Sequence, residues 1–406
     1  LVAEASLRGR AYIVSKAIID HGLSMAGPRR VYMDYASTTP IDPRVLEAMM
    51  PYFRERFGNT MSPHSWGMEA REALERARET VAAFIGANPM ELIFTSSATE
   101  SNNLAIKGVA LANRGRGRHI ITSKIEHPSV LEPCKWLKKN GFEVTYLPVD
   151  VHGIVDPGDV EEAIRRDTIL VSIMHANNEI GTVEPIKEIG EICGERGVYF
   201  HVDAAQSLGK LPVNVEEMRV DLLTLSAHKI YGPKGIGGLY VRDGVRLEPL
   251  LHGGGHEYGL RSSTVNVAGA VGFAKACEIA REVMHEEAEK LGRICRRLIH
   301  EMLGIDGVHL TGHPEKRLPT IASFWLEFID GERLIMELNE RGVAASTGSA
   351  CSSGKIEPSH VLLAIGLNER QAKSGLRLSI GRWTTEDEVD YVIECMRGIA
   401  AKYRRM

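Results

Sequence analysis

From about residue 68 the chain alternates two hydrophobic periods. MEAREALERARETVAAFIG (68–86) repeats apolar residues every three or four positions and stops at a glycine, which predicts an amphipathic helix. ELIFTS (91–96) predicts a short strand, and ATESNNLAIKGVALAN (98–113) a helix. The same rhythm continues with HIITSKI as strand, HPSVLEPCKWLKKNG as helix, FEVTYLPV as strand and DPGDVEEAIRRD as helix. TILVSIMHA then predicts a strand, PIKEIGEICGERG a helix and VYFHVDAAQ a strand. TLSAHKIYGPKGIGGLYV (224–241) reads as strand, glycine-rich turn and second strand. Strands alternating with helices predict an α/β fold, a mostly parallel sheet sandwiched by helices. A long charged helix at 268–303 carries the chain out of this large domain, and the remainder from about 285 reads as a smaller α+β domain.

In such sheets ligands sit beyond the carboxyl ends of the strands. Polar residues gather at five of those ends: TSSATES, EHPS, HANNEIG, VDAAQ and SAHK. One shared active site along that edge accounts for all five.

The chain has 406 residues, 44% hydrophobic and 25% charged, with a formal net charge of −4. The length suffices for a large domain plus a smaller one, and the charge offers no global basic surface for nucleic acid or an anionic membrane. Runs such as TILVSIM are too short to cross a bilayer. Six cysteines, at 134, 193, 277, 295, 351 and 395, form no CxxC pair. That argues against a zinc knuckle or thioredoxin-type site and suggests free thiols in a reducing compartment. The cytoplasm is the expected location, with the mitochondrial matrix as the alternative. Residues 1–30 lack the helix–strand rhythm of the rest of the chain and read as an N-terminal extension; Glu4 and Asp20 weaken a transit-peptide reading.

The clusters narrow the chemistry. SSATESNN (96–103) places hydroxyls at a helix N-terminus, where an anion is favoured, although a helix cap made by Thr99 explains the same residues. No GxxxxGK[ST] motif is present, so an ATP-binding P-loop is disfavoured, and GPKGIGG reads as a hairpin turn. Asp203 closes an apolar strand and needs a partner, either a structural one or a protonated ring nitrogen. Opposite charges about 4 Å apart attract by roughly 4 kcal/mol at an effective dielectric of about 20. Lys229, at the end of another strand, becomes a nucleophile for Schiff-base chemistry if burial or nearby cations depress its pKa. Lys234 sits in the turn, where solvation is its simplest role. Cys351, in STGSACSSGK, has loop composition around it and suits a nucleophile that must move. His252 and His256 are four apart, but the three glycines between them argue against a helical metal pair, and no metal is expected.

SAHKIYGPKGIGGLYV, HVDAAQ, TSSATESNNLAIKG, NNEIG, HGGGHEYGLRSSTVN and STGSACSSGKIEPSHVLLAIG together resemble the pyridoxal-phosphate-dependent cysteine desulfurases, over residues 30–400. The resemblance implies the fold type I architecture of such transferases. A large cofactor-binding domain would span 39–285. A small domain would comprise 31–38 and 286–406 and carry the Cys351 loop. It implies an enzyme that takes sulfur from L-cysteine, releases L-alanine and leaves a persulfide on Cys351. Lys229 would hold pyridoxal 5'-phosphate covalently and then serve as acid and base. Asp203 would pair with the pyridine nitrogen, Gln206 would bond the phenolic oxygen and His127 would stack on the ring and relay protons. Ala98, Thr99, Ser226 and His228 would hold the phosphate, and Thr264 would reach the phosphate of a neighbouring subunit, which implies a homodimer with shared sites. Asn178 and Arg377 would bind the substrate carboxylate, for which a planar guanidinium is suited. An iron–sulfur scaffold protein or another acceptor would take the sulfur.

The family more often has glycine at Ala227, arginine at Tyr258 and glycine at Ser263; these departures bear on phosphate-site packing. The segment around Cys351 is long, as in the branch that serves scaffold proteins. Three alternatives stay open on the residues: another pyridoxal-phosphate reaction such as transamination or selenocysteine lysis, a non-catalytic carrier of the same fold, and a dinucleotide-dependent oxidoreductase. The last lacks a GxGxxG after its first strand.

Overall fold

A computed structural model describes residues 29–348 and 358–404. Cys351 and the expected N-terminal extension, apart from residues 29 and 30, lie outside the described residues.

The strands are β1 (Val31–Tyr32), β2 (Leu92–Thr95), β3 (His119–Ser123), β4 (Glu143–Leu147), β5 (Thr168–Met174) and β6 (Tyr199–Asp203). They continue with β7 (Leu222–Ser226), β8 (Gly237–Val241), β9 (Val308–Leu310), β10 (Ile321–Leu326), β11 (Val343–Ala344) and β12 (Gly375–Ser379). The helices that matter for the site are α1 (Ser65–Phe84), α2 (Ala98–Asn113), α3 (Pro128–Lys139), α4 (Ile186–Arg196), α5 (Val267–Leu303), α6 (Gly331–Glu340) and α7 (Glu386–Tyr403).

Seven strands form the central sheet, in the order β2-β8-β7-β6-β5-β3-β4. Neighbours are parallel except β8, which runs antiparallel to both β2 and β7. The glycine-rich turn therefore reverses the chain, as its composition predicts. Every residue of β2, β3, β5, β7 and β8 is buried. That explains why these strands read as continuous apolar runs: both faces are covered. One face packs on α1, α4 and the first half of α5 through Leu74, Ile189 and Phe273, the other on α2 and α3 through Leu104, Val130 and Leu137.

A second core has its own sheet. β12, β10 and β9 pair antiparallel, and β1 pairs with β11 in parallel. The far half of α5, with Leu291 and Leu298, packs there with α6 and α7. The single helix α5 thus contributes Ile279 to one core and Leu291 to the other. Met33, just after β1, belongs to the second core, and Asp34 bridges to Ser379 of β12. The chain thus enters through the small sheet and then crosses to the large one, which places Ala36 and Ser37 between them.

Candidate active site

The predicted residues converge where the two cores meet, at the carboxyl edge of the parallel strands. Asp203 is the last residue of β6 and Ser226 the last of β7. Lys229 ends the single 3-10 turn Ala227–Lys229 that comes after β7. His127 caps α3, and Ala98 opens α2.

Lys229 has an unusual amine. Its Nζ donates to the carbonyl oxygens of Ala36 at 2.5 Å and Ser37 at 2.7 Å. Burial pushes its pKa down to about 8, with the Arg377 guanidinium adding to the shift while Asp34 and Asp203 oppose it. Such an amine is partly neutral near physiological pH, which a nucleophile requires. Lys234, by contrast, is exposed in the turn.

Asp203 is 6% exposed. Its Oδ2 accepts from the Asn102 amide at 2.7 Å and its Oδ1 from the Ala205 backbone N–H at 2.9 Å. Both donors are neutral, and no ion pair holds this carboxylate among the described residues. A nearly buried carboxylate without a cationic partner fits a site built for a cationic ring nitrogen.

A second unpartnered atom lies near the start of α2. Ser226 Oγ is buried without a hydrogen bond. Across the ladder, a Cβ on Gly237 would lie 2.7 Å from the backbone carbon of Ser97 and 3.0 Å from the Ala98 nitrogen, so only glycine allows α2 to start this close to the sheet. The cap of α2 is Ser97, whose side chain accepts from Glu100 N–H, which corrects the expectation of a cap at Thr99. Extended backbone at Ser97 (φ −175°, ψ 164°) places its hydroxyl over the first turn. Thr99 lies inside that turn and is exposed. His228 Nδ1 lies 3.1 Å from Thr38 Oγ1. Burial and the nearby lysines, Lys229 first, drive its pKa to about 4, so the ring is neutral at neutral pH.

Arg377, in β12, is almost fully buried. It donates to the Asn178 carbonyl, to Asp34 Oδ1 (each 2.8 Å) and to Ser37 Oγ (2.7 Å). Its Nε is a buried donor without a partner. Arg377 and Asn178 are thus in contact, although through the Asn178 backbone.

Two expectations meet a different local arrangement. The Gln206 amide donates to the Ala36 carbonyl at 2.9 Å, and its Oε1 accepts from Lys210 at 3.2 Å. Thr264 is exposed in the loop before α5, and among the described residues no hydrogen bond ties it to the other site residues. Sequence reasoning missed Asn102, Ser129, Asp34 and Lys210. Asn102 and Ser129 stand inside the quoted clusters but within α2 and α3, so membership of a polar cluster was the available signal. Lys210 is held near a pKa of about 7 by burial, then by Lys229 and Arg377. The five described cysteines are free and buried. Burial raises the thiols of Cys134 to about 12 and of Cys295 to about 11, which removes them as nucleophiles.

Proteins of similar sequence and shape are known. The class-V aminotransferase family model matches residues 31–392. The cysteine desulfurase IscS of Dictyoglomus turgidum is 51% identical over 93% of this chain and 96% of its own length. The cysteine desulfurase IscS 1 of Archaeoglobus fulgidus is 51% identical over 92% of this chain and 98% of its own. Among solved structures, a NifS-like protein superposes with a TM-score of 0.87 at 42% identity, covering 92% of this chain and 100% of its own. SspA, solved in complex with cysteine, gives 0.76 at 40% identity over 87% of this chain and 100% of its own. Fold, strand-end residues and relatives agree: the chain belongs to the class-V aminotransferase family and, within it, to the cysteine desulfurases.

Proposed function

We propose that the protein removes sulfur from L-cysteine, releases L-alanine and leaves a persulfide on Cys351, using pyridoxal 5'-phosphate held at Lys229. The observation that carries this reading is the juxtaposition, at the ends of the adjacent strands β6 and β7, of a carboxylate with no counter-ion among the described residues and, in the turn just past β7, an amine of depressed pKa. An orphaned serine hydroxyl beside a helix N-terminus completes a cradle of the right chemistry for the phosphate.

Lys229 would hold the cofactor's aldehyde carbon, with Asp203 at the ring nitrogen. Ala98, Thr99, Ser226 and His228 would hold the phosphate, and Gln206 would turn its amide from Ala36 to the phenolic oxygen. When bound, the cofactor supplies an electron sink for a carbanion at the substrate carbon. His127 borders the same space and offers a ring to stack and a proton to move. The unpartnered guanidinium Nε of Arg377, beside Asn178, would take the substrate carboxylate. Cys351, as thiolate, would attack the substrate sulfur. An S–S bond forms, the C–S bond breaks, and its electron pair stays with the three-carbon fragment, which takes up protons to leave as alanine.

A homodimer is the proposed assembly. Phe53, Phe57, Met61, Trp66 and Met68 cluster within sixteen positions of sequence and are all more than half exposed. Apolar side chains so concentrated mark an interaction surface. The large domain is proposed to span 39–285 and the small domain 31–38 with 286–406. An iron–sulfur scaffold or another sulfur acceptor would discharge Cys351. No described helix is long and apolar enough to cross a membrane. The free thiols suit the cytoplasm, with the mitochondrial matrix as the alternative.

The test is Cys351→Ser. It should retain cofactor on the Lys229 peptide and lose sulfide release and persulfide formation. Normal turnover of cysteine by this variant would overturn the persulfide route.

A further inference from the structure

Four side chains form one hydrogen-bonded line beside Lys229. The Asn102 amide nitrogen lies 2.7 Å from Asp203 Oδ2 and 2.8 Å from Ser129 Oγ. Ser129 Oγ lies 2.7 Å from His127 Nδ1. The Ser129 backbone N–H also donates to that Nδ1, at 3.1 Å.

Donor and acceptor chemistry assigns every proton along this line. A carboxylate only accepts, so the Asn102 atom facing Asp203 is the NH2 and not the oxygen. The same nitrogen faces Ser129 and gives it the second amide hydrogen. Ser129 Oγ therefore accepts from Asn102, and its own hydrogen is left for His127. A backbone N–H only donates, so His127 Nδ1 carries a lone pair. This agrees with His127 being the cap of α3, a position whose side chain must accept. Nδ1 takes both Ser129 donors, and the ring proton belongs on Nε2. Asn102 Oδ1 is left buried without a partner. A buried carbonyl without a partner is unfavourable, and Asn102 accepts that state while both its amide hydrogens go to Asp203 and Ser129.

We propose that Asn102 and Ser129 are positioning residues that hold His127 as the neutral ring with its proton on Nε2, tying the proton it offers the substrate to the carboxylate of Asp203. The groups facing the ring agree with a neutral state. Burial lowers its pKa; Asp203 opposes this, while Lys229 and His360 add to it. His360 is itself turned away, its Nε2 bonded to the Glu126 carbonyl at 2.9 Å. Asp203 and His127 thus act on one cofactor through a shared amide, and a change at either end is felt at the other.

The inference deepens the function proposed above and rests on it for the meaning of the proton, but the tautomer is tested without turnover. The full chain, labelled with nitrogen-15 in histidine only, is examined by long-range proton–nitrogen NMR, with His127 assigned by its loss in His127→Gln. The unsubstituted chain should show the Nε2–H tautomer at neutral pH. Ser129→Ala should reduce that preference by about tenfold, the worth of one hydrogen bond. It should also slow alanine formation about tenfold at saturating cysteine with KM unchanged, and Ser129→Thr, which keeps the hydroxyl, should restore both. Asn102→Leu should act like Ser129→Ala; a variant that fails to fold loses its cofactor absorption and is set aside in favour of the serine pair. An imidazolium or Nδ1–H ring in the unsubstituted chain, or Ser129→Ala with an unchanged ratio and rate, overturns the proposal. Absence of alanine from cysteine in the unsubstituted chain would instead sink the proposed function and leave the tautomer to the spectrum.

Discussion

Arg78 and Glu257 form a bidentate ion pair, with both nitrogen–oxygen distances 2.8 Å and both side chains 2% exposed. The pair joins α1 to the loop that precedes α5. Glu257 also accepts from Phe94 N–H in β2, and Arg78 donates to the Leu92 carbonyl. Its guanidinium lies over the Phe94 and Tyr258 rings. Glu257 and Tyr258 have positive φ, 49° and 57°, a conformation that costs about 1–3 kcal/mol at non-glycine residues. The ion pair and the Phe94 N–H bond tie Glu257 to α1 and β2. Removing one partner strands a buried charge, so Arg78→Leu should destabilise the protein by about 3–5 kcal/mol in chemical denaturation. The double variant Arg78→Leu/Glu257→Leu should lose less than Arg78→Leu alone. Equal losses would show that the loop is held by other contacts.

Lys229 gives a pH prediction with a definite sign. Its folded pKa is about 8, below the ordinary lysine value, and only the neutral amine attacks an aldehyde. Covalent capture of pyridoxal phosphate by the apo chain should therefore accelerate as pH rises from 7, and level off above about 8 to 9. An accessible surface lysine would keep accelerating toward pH 10. Absorbance of the adduct, with mass on the Lys229 peptide, distinguishes the two.

The local periodicities carried the large sheet well. The predicted helix 98–113 coincides with α2 because its turn of polar residues leads into apolar positions at helical spacing. Asp203 and Lys229 stood out in the sequence because a polar residue at or just past the end of an apolar run is conspicuous; Asp203 is the last residue of β6, and Lys229 lies three residues beyond β7. What escaped was long-range pairing. Asn102 meets Asp203 across 101 positions, and Arg78 meets Glu257 across 179. Neither pair leaves a spacing in the chain. Asn102 looked like an ordinary member of a helix, since nothing local tells which helical face turns toward β6. The cap of α2 was misplaced by two residues because Ser97 and Thr99 are equally good capping types, and only the extended backbone of Ser97 decides between them.

Arg377 offers a sharper test of substrate binding than deletion would. Three of its contacts, to Asn178, Asp34 and Ser37, fix the plane of the guanidinium, and its Nε points at no protein acceptor. Arg377→Lys keeps the charge but cannot reproduce the fork. A charge-assisted hydrogen bond is worth about 1.5–3 kcal/mol, so KM for cysteine should rise about 10- to 100-fold with cofactor retained. An unchanged KM in steady-state alanine formation would place the substrate carboxylate elsewhere.

The exposed apolar cluster and Thr264 together test the proposal of a site shared between two copies. Phe57, in the loop that leads into α1, is 67% exposed, and Trp66, in the first turn of α1, is 54% exposed. Burying a phenylalanine contributes about 1.5–3 kcal/mol, and a carboxylate in its place must be desolvated on association. Phe53→Glu with Phe57→Glu should therefore yield a monomer in analytical ultracentrifugation. If Thr264 completes a partner's phosphate site, that monomer should also hold pyridoxal phosphate more weakly, although neither substitution touches Lys229, Asp203 or Ser226. Thr264→Ala should show the converse: a dimer of normal mass with weakened cofactor retention. A monomer that keeps its cofactor as tightly as the unsubstituted protein would mean each chain builds its phosphate site alone, and Thr264 would have no part in it.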